Sequence, residues 1–424
     1  MAIPYQEYVG RSLQNPRNSQ IKSTDLPSNV RIEPINLTAE DGAPSFGLLY
    51  HRPGERAKVG VHVMHPRTNH TQNYSIVPFA TAGYTVLARN SRWPNNDSEM
   101  LHEPVLLDLA AGIQKLREMG CEQVVLLGNS GGSALAAMYQ AVACTPVGER
   151  TTHTPAGDPF DLNAYDLPRA DGLVFLGGHA GQGVVLSRCI DGGVIDENNP
   201  LLTDPHLDLF SPRNGFETPP TSSHYDPEFL QRYQEAQAAR VRRIDGKALE
   251  LVELGRSFGR AADAQADARF TYLAKTGWFM VIYRTTADPA YVDLNIDPDD
   301  RRVFSYLSGR ADLENFGEAG LGRLLTPRAW LSTWSANYSR AGTVANLGKV
   351  HDPLLVVHYA GDCGTRMSDA RDMVERSASA DKTLHVVRNA DHYGFVYERD
   401  GAVGARTWEG ANKAVEWVQE RFPL

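Results

Sequence analysis

The chain has 424 residues, 42% of them hydrophobic and 22% charged, with a formal net charge of −9. These are ordinary globular proportions, which exclude a collagen-like, low-complexity or largely disordered chain. The acidic balance argues against a nucleic-acid partner, which would want a basic footprint. At roughly 150 residues per domain, the length accommodates two or three domains, or one large domain with an insertion.

Residues 1–29 read as an N-terminal arm without periodicity, polar and lacking the apolar stretch of a secretory signal. From Val30 onward, two alternating segments flank Asp41-Gly42, the pattern of a β-hairpin. GVHVMHP, from Gly60, is a short apolar strand, and helical spacing is weak around NYSIVPFATAG. YTVLARN is a further buried strand. Val105, Leu106, Leu109, Ile113 and Leu116 mark an amphipathic helix, which Gly120 terminates. The strand EQVVLLG, the small-residue helix GGSALAAMYQAVA, a Pro-, Gly- and Thr-rich loop over 145–169 and the strand DGLVFLGG follow. Continuous apolar strands alternating with helices predict a parallel sheet covered on both faces.

The alternation stops near residue 182 and resumes near 353 with PLLVVHYAGD, a helix over 368–375, the strand KTLHVVRN and a last helix from Thr407. The stretch 182–352 is mostly helical and rich in aromatics, among them Trp278, Phe279, Tyr291, Trp330, Trp334 and Tyr338. It reads as one cap insertion packed on the sheet edge. The expected organisation is therefore a core of residues 30–181 and 353–424 with a cap at 182–352. Four cysteines, at 121, 144, 189 and 363, form no CxxC pair or metal-ligand spacing, so neither a disulfide scaffold nor a metal centre is expected. No apolar run is long enough for a membrane span, and the cytoplasm is the expected compartment.

Gly128-Asn129-Ser130-Gly131-Gly132 matches G-x-S-x-G between a strand and a helix. On such a turn the serine hydroxyl stands exposed above the sheet, and the following helix N-terminus favours developing negative charge. Gly255-Arg256-Ser257-Phe258-Gly259 fits the same five letters inside a charged helical segment with no preceding strand, so Ser257 is read as structural. A serine needs a base and a group that orients the base. Asp362 follows a strand directly, and His392 lies in the loop after the last strand; with Ser130 they give the order serine, acid, histidine. Among their competitors, His385 lies within a strand, Asp391 is a turn former, and Asp369 and Asp372 belong to a helix. Gly131 would supply one oxyanion N–H. Pro66 has none, so Arg67 is the first residue that could supply the other. His65, Asn69 and His70 would either line the same opening or only solvate its loop.

These residues resemble the α/β-hydrolase superfamily over about 30–180 and 353–424. His65-Pro66 departs from the His-Gly that many members carry at the oxyanion loop. The resemblance implies an eight-stranded, mostly parallel sheet with helices on both faces and a mainly helical cap. It also implies hydrolysis through an acyl-enzyme, with Ser130, His392 and Asp362 as triad and no cofactor or metal. A carboxylic ester is the leading substrate class, and the insertion's aromatics suggest a moderately sized, partly apolar small molecule. A thioester, lactone, amide or C–C bond would use the same triad. Epoxide hydrolases and haloalkane dehalogenases place an aspartate where Ser130 stands. A ligand-binding protein on the same fold is the non-enzymatic alternative. No nucleic-acid or membrane partner is expected, and the oligomeric state is left open.

Overall fold

The computed structural model describes residues 20–54, 58–265, 267–303, 310–318, 320–397 and 403–424. Of the expected arm, residues 1–19 lie outside the described residues. Among the described residues the central sheet has eight strands, numbered in chain order: β1 Arg31–Thr38, β2 Pro44–His51, β3 Val59–His65, β4 Thr85–Asn90, β5 Gln123–Asn129, β6 Gly172–Leu176, β7 Leu354–Tyr359 and β8 Lys382–Val387. Their spatial order is β1-β2-β4-β3-β5-β6-β7-β8. Strands β3 to β8 are parallel, while β2 pairs antiparallel with both β1 and β4. The hairpin β1–β2 turns where Asp41-Gly42 predicts it, with Gly42 at φ 87°.

The period-two alternation of the strands divides their apolar side chains between two cores. Leu126, Phe175 and Val356 meet helices α2 (His102–Glu118) and α3 (Gly131–Cys144) on one face. Val125, Leu127, Val174 and Val357 meet α1 (Ile76–Ala82) and the C-terminal α7 (Glu409–Arg421) on the other. Because both faces are covered, β3, β4, β6 and β7 are buried along their whole length, which is why they read as largely apolar, with His62, His65, Arg89 and His358 among the buried exceptions.

Between β6 and β7 the chain adds no strand to this sheet among the described residues. It forms α4 (Gln182–Cys189), the 39-residue α5 (Pro227–Gln265) and shorter pieces around separate apolar clusters, one built on Ile244, Ala248, Trp330 and Trp334. The sequence suggested attachment at the sheet edge. The structure instead ties this segment to the C-terminal ends of interior strands. Thr326 N donates to Ser98 O beyond β4 (2.8 Å), Thr343 N to Ala180 O beyond β6 (2.9 Å) and Asp300 N to Ala360 O beyond β7 (2.9 Å). The insertion leaves the core from β6, an interior strand, so the strand ends are the surface within its immediate reach. Helix α6 (Met367–Glu375) separates β7 from β8. Among the described residues, no helix is long and apolar enough to cross a membrane, and no His, Cys, Asp and Glu cluster could hold a metal ion.

Candidate active site

Strand β5 passes into α3 through Ser130, whose backbone sits at φ 56° and ψ −124°. A non-glycine residue holds such a conformation at a cost of about 1–3 kcal/mol, and only where its surroundings enforce it. They do so here through close packing. A Cβ on Gly128 would lie 2.5 Å from Gly132 C and Ser133 N, and one on Gly132 would lie 2.6 Å from Met64 O. The two flanking glycines of the motif therefore let the turn close against itself and let α3 press on β3. Ser130 N donates to Leu176 O (3.1 Å), and Asn129 Nδ2 to the same carbonyl (2.7 Å), anchoring the turn to β6. The Gly131 N–H, in the first turn of α3, has no acceptor within the helix.

Asp362 lies three residues beyond Tyr359, the last residue of β7, and His392 in the loop after β8. Gly361 N donates to Ala390 O (2.9 Å), joining the two loops. His392 Nδ1 then stands 2.5 Å from Asp362 Oδ2, with both side chains buried. The carboxylate also accepts from Thr365 Oγ1 (2.6 Å) and Gly364 N (2.6 Å). Burial pulls the Asp362 carboxyl upward. The charge of His392 and the hydrogen bonds from His392, Thr365 and Gly364 outweigh that and hold it below the usual carboxylate range. An ionised Asp362 places the imidazole proton on Nδ1 and the basic lone pair on Nε2. Ser130 and His392 line one cavity with Arg67, His179, Gln182, Val185, Tyr291, Leu321, Trp334 and Gly364.

The strand order with β2 alone reversed, a strained serine after β5, an acid after β7 and a histidine after β8 together decide the architecture. This is the α/β-hydrolase fold. Solved structures similar to the chain include the esterase domain of a Rhodothermus marinus protein (12% identity, 92% of this chain and 98% of that one, TM-score 0.41). Others are the Pyrococcus furiosus esterase Pf2001 (11%, 92% and 91%, TM-score 0.42) and the α/β hydrolase GrgF from Penicillium sp. sh18 (10%, 93% and 100%, TM-score 0.47). No family model matches the chain, and no curated protein matches it.

Within this α/β-hydrolase fold, one expected role changes. The Arg67 N–H, read from sequence as the second oxyanion donor, is given to His65 Nδ1 (3.1 Å), which also accepts from Thr68 N (2.9 Å). The loop after β3 curls over the His65 ring, so its first amides are spent there. Arg67 reaches the cavity through its side chain, paired with Asp97 (2.8 and 2.9 Å) and stacked 5.0 Å from the Trp334 ring centroid. His179 and Gln182, which sequence reasoning passed over, line the cavity beside Ser130. The signal for them was their place directly after β6, because ligand sites in parallel sheets gather beyond the carboxyl ends of strands. Of the competitors, Asp391 Oδ1 accepts from Tyr393 N and Phe395 N, closing a turn, and His385 Nε2 meets Glu409 (3.0 Å). Asp369 pairs with Arg188 across to α4, and Ser257 lies within α5, where its hydroxyl donates back to Leu254 O.

Proposed function

We propose that the protein is a serine hydrolase of carboxylic esters acting through an acyl-enzyme. One observation carries the reading: a serine held at a strained strand-to-helix turn faces the same cavity as a histidine pinned by a buried carboxylate. His392 Nε2 takes the Ser130 proton as Oγ attacks the ester carbonyl. Asp362 keeps the ring in the required tautomer and stabilises the imidazolium that forms. The Gly131 N–H receives the oxyanion. The proton passes from His392 to the leaving alkoxide, and water deprotonated by the same ring then hydrolyses the acyl-serine. No step calls for a metal or cofactor.

The cavity measures about 20 Å³, room for about one water and far below the several hundred Å³ that enclose a small-molecule ligand. Turnover therefore includes displacement of the insertion from the strand ends. Intact-protein mass spectrometry after fluorophosphonate treatment tests the reading: one adduct on the wild type, absent from Ser130→Ala, is expected. An unlabelled, folded wild type would instead favour a ligand-binding protein. Ester, thioester, lactone and amide panels then separate the chemistries that share this triad.

A further inference from the structure

The cavity beside Ser130 carries more hydrogen-bond donors than one oxyanion uses. His65 Nδ1 accepts two backbone N–H groups, and His179 Nδ1 accepts Gly181 N (3.0 Å). An Nδ1 that accepts carries no proton, so both neutral rings bear theirs on Nε2. Burial and the neighbouring Arg67 and histidine charges keep both rings neutral, and His179 is brought down to about 3. The two Nε2 atoms converge on Gly131. A Cβ placed there would lie 2.8 Å from His65 Nε2, 2.8 Å from Gln182 Nε2 and 3.2 Å from His179 Nε2. With the Gly131 N–H, the histidines already offer three donors beside the residue that follows the nucleophile.

Two further donors remain. Gln182 is 2% exposed, and neither its Nε2 nor its Oε1 has a hydrogen-bond partner among the described residues. The Gln182 amide does interact with the neighbouring His102 ring, favouring its protonated form, but the contact falls short of hydrogen-bond distance and angle, so the amide is at most weakly engaged there. Arg67 Nε is also buried without a partner among the described residues. Buried unpaired polar groups are rare because desolvation is costly, and at a cavity they are completed by water or by a ligand that takes its place. Apart from Gln182 Oε1, acceptors are few: the Tyr291 hydroxyl is engaged with Cys189 Sγ (3.2 Å), and Asp362 already accepts from His392, Thr365 and Gly364.

We propose that the substrate's acyl group carries a second carbonyl-type oxygen, keto or carboxylate, near the scissile carbonyl, and that Gln182 and Arg67 bind it. This rests on the serine-hydrolase reading above. A site with unpaired buried donors discriminates strongly against analogues that lack the matching acceptor. The test compares kcat/KM for the 4-nitrophenyl esters of pentanoate, 4-oxopentanoate and hydrogen succinate, chains of similar length. At least one oxygen-bearing ester is expected to exceed pentanoate by about tenfold or more. Gln182→Leu and Arg67→Met are each expected to shrink that ratio. A faster succinate ester assigns the recognition to the Arg67 charge, and a faster 4-oxopentanoate ester to the neutral Gln182 amide. Equal or faster turnover of pentanoate by the wild type overturns the proposal without recourse to any variant. If Ser130 still takes the fluorophosphonate in that case, the hydrolase reading survives. If it takes no label and no ester turns over, both fail.

Discussion

His392 Nδ1 lies 2.5 Å from Asp362 Oδ2, although the two residues belong to loops after different strands. The contact depends on Gly361: a Cβ there would stand 2.9 Å from Ala390 O and 2.8 Å from the Tyr397 ring, so only glycine lets the loops after β7 and β8 touch. Backbone packing thus sets the pair before either side chain contributes.

Replacing Asp362 by Asn keeps the shape but removes the charge and offers an amide donor to Nδ1. On the proposed mechanism, kcat falls by about 10⁴-fold, as when an orienting carboxylate is lost elsewhere. Thr365→Val, which removes one of three hydrogen bonds to the carboxylate, is expected to give a much smaller loss. Steady-state kinetics on a simple ester check both, and an Asp362→Asn enzyme with near-wild-type kcat would remove Asp362 from the mechanism.

The elbow glycines give a steric prediction. Gly132→Ala places a methyl 2.6 Å from Met64 O, a backbone atom, so α3 has to move off β3. A stability loss of about 1–3 kcal/mol is expected from overpacking, together with slower fluorophosphonate labelling of Ser130. Gly246→Ala in α5 is the control. Its Cβ meets nothing within 4 Å, so helix propensity makes it neutral or stabilising by up to about 1 kcal/mol. Thermal melts and labelling rates would separate the two, and equal behaviour would contradict the packing described.

Access to the site is expected to depend on ion pairs between the insertion and the core. Arg366, just before α6, holds Asp288 through two contacts of 2.6 Å. The double substitution Arg366→Gln with Asp288→Asn removes both charges and leaves neither buried alone. It should speed labelling by a long-chain fluorophosphonate relative to a small one. An unchanged ratio of the two rates would mean that this pair does not restrain opening.

Stability should fall on acidification. His70 and His179 are brought to about 3 and His102 to about 4, in each case chiefly by burial, and His62 and His65 also lie well below 6.5. Each folded-state value is depressed, so each stabilising contribution is complete above the unfolded value near 6.5. It is lost as the pH drops from there toward the folded value. Each such histidine takes up a proton on unfolding and adds a slope of up to about 1.4 kcal/mol per pH unit. Urea midpoints should therefore be clearly lower at pH 5.5 than at pH 7.5. His62→Leu, which replaces a ring packed against Gly112, should flatten the dependence by about one proton. A midpoint that does not move with pH would contradict neutral burial of these rings.

The sequence by itself determined the sheet and the line of the site. Strands buried on both faces must be largely apolar, a sharp turn at Ser130 needs Gly128 and Gly132, and the positions of Asp362 and His392 beyond strand ends follow from where the apolar runs stop. These are local constraints, written in adjacent residues. The Arg67 amide turned to His65, because a side chain two residues back captured it, a local contact that the residue pattern does not announce. Two features were decided by tertiary packing alone. His179 and Gln182 joined the cavity because β6 lies beside β5. The insertion's aromatics divided between roles that composition does not distinguish: Trp334 and Tyr291 at the cavity, Trp278 and Phe279 at the surface, 39% and 51% exposed. Hydrophobic periodicity records which face of an element is buried. Which distant side chains share that burial is set only when the elements close on one another.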